Sequence, residues 1–200
     1  TLEEPPERTL MLLISAMPSH VPATLISRCQ RLPVAPPPRA VALAWLRSQE
    51  PGLAVEAALA ATSNAPLKAL DLALANLLEQ RDRLFDLWPA FVQDRAEPVQ
   101  AAEKLANVPL DTLIDWLYCW ASDVLKLACS ATPEQLVNGD RTAQLQTAAR
   151  HLTPDHTHEF IEILQRSKRQ LAINAQLNRT LILEEVCIAW RRLAKPSAGD

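Results

Sequence analysis

Glycine is nearly missing from this chain. Its 200 residues hold three, Gly52, Gly139 and Gly199, where average usage is about 7%. A Walker A loop needs two glycines within six residues, and a dinucleotide fingerprint needs three in close succession, so neither phosphate cradle can be written here. An excess of one charge is missing too: 20 Lys+Arg stand against 23 Asp+Glu, a formal net charge of -3. That removes the basic footprint expected of a nucleic-acid or anionic-membrane binder, and any phosphate contact has to be local. The four cysteines, Cys29, Cys119, Cys129 and Cys187, form no C-x-x-C, and the four histidines form no zinc-ligand spacing, so no metal site is expected. Apolar neighbours such as Leu117 and Trp120 around Cys119, and Val186 and Ile188 around Cys187, suit reduced thiols packed as small hydrophobes in a cytosolic protein. No charged-then-apolar leader opens the chain and no apolar run approaches the ~20 residues of a membrane span. The expectation is a cytoplasmic protein with no membrane partner.

What is abundant is Leu and Ala, together roughly a third of the residues. These lose least on entering a helix, so the fold class expected is mainly α, with sixteen prolines as punctuation. The opening is different in kind. Thr9 to Ser15 is a continuous apolar run of strand length, Pro22 can open a short helix through Ile26, and Gln30 to Val34 can form a brief edge strand. These elements read as the tail of a larger α/β domain, bounded by the extended stretch Ala35-Pro36-Pro37-Pro38. Helices are then expected near 38–48, 53–61 and 66–79. Pro66 opens the third of these, and Leu67, Leu70, Leu74, Leu77 and Leu78 are placed along one face. Beyond Gln80, an apolar stripe over Leu84, Leu87, Trp88, Phe91 and Val92 is kinked or divided by Pro89. Pro98 opens a short helix to Ala106, and Asp111–Ser130 forms the most buried helix. Thr132-Pro133 and Thr153-Pro154 each restart a helix, with a capping hydroxyl before a proline. Helices at about 140–151, 154–172 and 178–194 complete six or seven in this region, and the tail 196–200 frays.

Few residues can carry chemistry. His156 and His158 fall in the first turns of a helix, have no ligand partners nearby and read as solvated surface groups. Asp115 and Asp123, eight apart on the central helix, share a face; a polar helix edge explains them more simply than an acid/base pair. Ser15 has no nucleophile elbow around it. A helix-turn-helix reading lacks a basic recognition helix. The sharper lead is Arg28, between Ser27 and Cys29 after a short helix: a permanently charged planar fork suits the charge spread over a transferring phosphoryl group.

Thr1-Leu2-Glu3-Glu4-Pro5-Pro6, the Leu10–Ile14 run, Pro18 and then Ser27-Arg28-Cys29-Gln30 stand in the order and spacing of a T-L-E-E-P-P…S-R-C pattern. In these residues the chain resembles the DNA polymerase III clamp-loader ATPases of bacteria. The resemblance implies a C-terminal fragment with residues 1–37 as the remnant of an AAA+ ATPase-like domain, 38–80 as a three-helix lid and 81–195 as a helical collar that joins a pentamer. It implies Arg28 as an arginine finger in trans, flanked by Ser27 and Cys29. Motor members of the family resemble G-S-[LM]-R-D-A-L at the lid helix; here Asn64-Ala65-Pro66-Leu67-Lys68-Ala69-Leu70 puts Leu67 in the sensor place, and leucine cannot contact phosphate. Ser15-Ala16 stands where those members carry a polar pair. Both departures imply a non-hydrolysing, stator-like member with no cofactor in this fragment. Its implied partners are the motor (gamma/tau) and delta subunits, with primer-template DNA and the sliding clamp reached through the assembled complex. A free-standing helical adaptor with no link to ATP is the alternative.

Overall fold

The computed structural model describes residues 7–15, 21–50, 52, 54–93, 95–173 and 178–194. Ten α-helices and two 3-10 turns make up the regular structure among the described residues, and there is no strand among them. The chain divides into two compact units at Pro36–Pro37.

The first unit, up to Pro36, carries one four-residue helix, α1 (Ala23–Ile26), opened by Pro22. The strands expected over Thr9–Ser15 and Gln30–Val34 are not formed: both stretches are irregular and exposed, with Leu10 at 84% and Ile14 at 96% accessibility. The reason is cooperative. A strand takes its hydrogen bonds from a neighbour, and apolar β propensity cannot supply one. The T-L-E-E-P-P residues, Ala16, Pro18 and the 196–200 tail lie outside the described residues.

The second unit holds nine helices among its described residues: α2 (Arg39–Gln49), α3 (Val55–Ala61), α4 (Pro66–Leu74), α5 (Leu78–Val92), α6 (Pro98–Leu105), α7 (Leu110–Ala128), α8 (Thr142–His151), α9 (Pro154–Ile173) and α10 (Arg179–Ala194). Local signals set where they begin. Pro66 and Pro98 occupy first-turn positions where the missing N–H is no loss, and Thr153 Oγ1 accepts the His156 amide at 3.3 Å to cap α9. Scarce glycine shows at the ends. α3, α4 and α7 each close with a left-handed residue, Ser63 (φ 51), Asn76 (φ 53) and Ser130 (φ 67), where glycine is the usual choice. At α4, Asn76 N–H bonds Ala73 O (3.1 Å) and Leu77 N–H bonds Leu72 O (3.1 Å), the paired return bonds of a Schellman end. That turn stops α4 at Leu74, short of the expected 79, and starts α5 at Leu78. Pro89 does not divide α5, because it sits in the last turn and deletes a single ladder bond. Before α8, Gly139–Arg141 takes one 3-10 turn in place of the expected first helical turn.

α7 is the axis of this unit. Leu113, Leu117, Trp120, Ala121 and Val124 are buried on it, and α8 and α9 pack along its length while α10 packs on α5, α6 and α9. Four aromatic rings knit these helices: Trp120 contacts Trp88 at 5.0 Å and Trp190 at 5.4 Å between centroids, and Phe91 meets Trp190 edge-on at 5.4 Å. Such pairs add about 0.5–1.5 kcal/mol each beyond their buried area. The thiols depart from expectation. Cys187 is buried, and burial plus the charge of Glu184 pushes it up to about 12, but Cys29 and Cys129 are exposed. Each lies in a helix-terminal turn at the surface: Cys29 is flanked by Arg28 and Gln30, and at Cys129 the apolar Leu127 and Ala128 alongside in sequence do not cover the thiol.

Candidate functional site

Arg28 lies in a tight turn built by α1. Four residues make too short a helix to hold itself, and the turn is drawn in by successive short-range bonds: Ser27 N–H to Ala23 O (3.0 Å), Arg28 N–H to Leu25 O (3.2 Å) and Cys29 N–H to Ile26 O (3.4 Å). Ser27 Oγ adds a bond to Thr24 O at 3.1 Å. Ser27, Arg28 and Cys29 are all exposed. The triplet therefore presents a guanidinium on a braced turn at the surface of the first unit, and Ser27 has a definite task as the brace. Leu67, in the first turn of α4, is also exposed, at 68%. Its neighbour Lys68 reaches Asp115 of α7 at 3.3 Å.

His151, His156 and His158 are exposed, and His158 stands 3.6 Å from Glu162 one turn on. No group of three or more His, Cys, Asp or Glu that could hold a metal occurs among the described residues. Ser15 is exposed in coil.

The two aspartates of α7 separate sharply. Asp115 is partly exposed and bridges two lysines, Lys68 of α4 and Lys168 of α9. Asp123 is fully buried, which corrects the polar-edge reading. Its carboxylate accepts bonds from Val137 N–H (3.0 Å), Asn138 N–H (2.8 Å), Asn138 Nδ2 (2.9 Å) and Lys126 Nζ (3.1 Å). Asn138 Oδ1 in turn accepts from Arg81 Nη2 at 2.8 Å. Arg81, also buried, grips Asp140 with both terminal nitrogens, at 2.8 and 2.9 Å, and lies over the Phe85 ring. Burial works to raise the Asp140 carboxyl, but the Arg81 hydrogen bond and charge outweigh it and hold the group below its ordinary range. This Asp123–Asn138–Arg81–Asp140 chain staples the 129–141 connection to α5 and α7, and every carboxylate in it is already engaged, so its task is structural. Periodicity held the clue. Arg81 falls one turn before Leu84 and Phe85 on the buried face of α5, and Asp123 one turn after Trp120 on that of α7.

A cleft of about 700 Å³ runs between α3–α4 and α7, lined by Ser63, Lys68, Leu72, Asp115, Tyr118 and Cys119 among others. Ser63 Oγ and Cys119 Sγ meet across it at 3.3 Å, and burial raises that thiol.

The bundle from α5 to α10 is the part of the chain that comparison with known proteins places in a family. The family model described as DNA polymerase III, delta subunit, C terminal, matches residues 75–192, and the chain belongs to that family. The chain is similar to the DNA polymerase III subunit delta' of Pseudomonas aeruginosa, 29% identical over 98% of this chain and 61% of the relative. It is similar to the subunit delta' of Escherichia coli, 28% identical over 98% of this chain and 58% of the relative. To that of Yersinia pestis it is 32% identical, over 95% of this chain and 57% of the relative. The chain thus spans about three fifths of the length of these curated relatives.

Proposed function

We propose that this protein is a non-hydrolysing stator subunit of a bacterial replicative clamp loader, which loads the sliding clamp onto primed DNA. The observation that carries this reading is the similarity of 98% of the chain to proteins named DNA polymerase III subunit delta'. On it, residues 1–37 belong to an AAA+-like domain, 38–80 form its lid and 81–195 form the collar through which a pentamer assembles in the cytoplasm. Motor (gamma/tau) and delta subunits are the direct partners, and primer-template DNA and the clamp are met through the complex. The chain holds no nucleotide of its own: its glycines cannot build a phosphate loop, and exposed Leu67 offers no cation. What it lends is Arg28, on the braced turn, to the γ-phosphate of a neighbouring subunit's ATP.

The test is Arg28→Ala in the intact subunit, rebuilt into the full complex, with Arg31→Ala as control. Removal of a guanidinium supplied in trans costs about 10³-fold or more at the site it serves. Because other sites keep their own arginines, DNA- and clamp-stimulated ATPase activity should fall in part and clamp loading should be strongly impaired. Arg31→Ala should behave as wild type in both. Wild-type activity of Arg28→Ala in both assays, with assembly intact, overturns the arginine-finger reading. Failure of the intact subunit to assemble with motor and delta partners favours a free-standing adaptor.

A further inference from the structure

Helices α2–α4 pack chiefly on one another, and their main packing on the rest of the second unit is α3 against α5. α4 passes into α5 through only Ala75, Asn76 and Leu77. Over α7 they do not close: the 700 Å³ cleft lies between. Among the described residues two polar links span it, the Ser63–Cys119 contact and the ion pair of Lys68 with Asp115. The Asp115 carboxylate is divided. Its Oδ2 takes Lys68 Nζ from α4 at 3.3 Å, and its Oδ1 takes Lys168 Nζ from α9. One acidic group on the central helix is thereby set between a cation that belongs to the α2–α4 group and a cation that belongs to the bundle, with both lysines more than half exposed.

We propose that Lys68–Asp115–Lys168 is a salt-sensitive latch that sets how far α2–α4 stand open over α7. Lys168 holds Asp115 Oδ1 to α9 and so directs Oδ2 toward Lys68, the moving half. Because the ions face solvent, the latch weakens as ionic strength rises, with the Debye length falling from about 14 Å at 0.05 M to about 4 Å at 0.5 M salt. An exposed pair shifts an opening equilibrium by roughly two- to fivefold, enough to grade an angle without deciding whether the protein folds. The inference is independent of Arg28 and of any ATP site.

The experiment measures the distance between spin labels introduced as noncanonical amino acids at Ser48 (α2) and Gln146 (α8), both exposed, in the full-length protein by pulsed dipolar spectroscopy. In wild type at low salt a single short population is expected, and high salt should raise the longer-distance fraction roughly two- to fivefold. Lys68→Met and Asp115→Asn at low salt should reproduce the high-salt distribution and lose its salt dependence. Lys168→Met should raise the open fraction less than Lys68→Met does, since the spanning ion pair survives and only its anchor is lost. The triple exchange Lys68→Asp, Asp115→Lys and Lys168→Asp, which reverses every charge of the set and leaves no two like charges in contact, should restore the closed distribution, which separates pairing from damage to the fold. Wild-type distances in both Lys68→Met and Asp115→Asn, or equal opening in Lys168→Met, overturn the proposal.

Discussion

Arg81 shows what one buried charge commits the protein to. Its side chain is 2% accessible and was removed from water at a cost of several kcal/mol, offset only because Asp140 receives both terminal nitrogens and Asn138 takes a further bond. Arg81→Met keeps the packing on Phe85 and removes the charge, and should cost about 2 kcal/mol at pH 7 in urea unfolding. The sign of the pH dependence follows from Asp140. A carboxyl held below its ordinary range in the folded state contributes stability above that range and loses it as pH falls through the folded value. The gap between wild type and Arg81→Met should therefore narrow below about pH 4. An equal gap at pH 7 and pH 3 would assign the loss to Asn138 instead. Arg28 stands at the opposite extreme. It is exposed, so Arg28→Ala should alter stability by about 0.5 kcal/mol or less, whatever it does to a neighbour's turnover.

At the scale of elements, the peculiarity of this sequence is how it ends its helices. With three glycines in 200 residues, it places Ser63, Asn76 and Ser130 at left-handed C-terminal positions. A side chain there costs about 1 kcal/mol against glycine, less for Asn, which bonds locally. Ser130 is exposed at the end of α7, and its backbone amide, not its hydroxyl, makes the return bond to Leu127 O. Ser130→Gly should accordingly raise stability by about 0.5–1 kcal/mol in thermal or urea unfolding, while Asn76→Gly gains less. A loss of stability in Ser130→Gly would show that its hydroxyl has a role beyond the turn. Gly52 is the reverse case. Its φ of 109° suits glycine alone, and a Cβ there would meet nothing within 4 Å, so any cost of Gly52→Ala is backbone strain.

Considered whole, the molecule keeps its core in one unit. No buried core residue among those described precedes Ala42, and the boundary falls at Pro36–Pro37. A chain beginning at Pro37 should thus retain its helical circular dichroism and unfold in one transition, with stability within about 0.5 kcal/mol of the longer chain. Collapse of that truncated chain, or two separated transitions, would show that the first unit supports the second or that α2–α4 melt apart from the bundle. Exposed Leu10, Leu12, Leu13, Ile14, Leu32 and Val34 give the first unit an apolar surface, unlike the second, whose large apolar side chains are mostly buried. No helix among the described residues is long and apolar enough to cross a membrane.

By itself the sequence determined the helical class, the starts of α4, α6 and α9 at Pro66, Pro98 and Thr153-Pro154, and the apolar faces of α5 and α7. These rest on interactions within four residues or on composition, and need no knowledge of what lies opposite. The S-R-C turn was equally legible, because α1 is closed by bonds three and four residues apart. What tertiary structure alone decided depends on partners far along the chain. The apolar run at Thr9–Ser15 is coil because strands require neighbours. Arg81 and Asp123 are buried because Asn138, 57 and 15 residues away, folds back to bond both. Asp115 is shared by Lys68 and Lys168, 47 and 53 residues distant. Periodicity names the face a residue occupies, but the element that covers that face, and hence whether a charge meets water or a partner, is settled only when the helices pack.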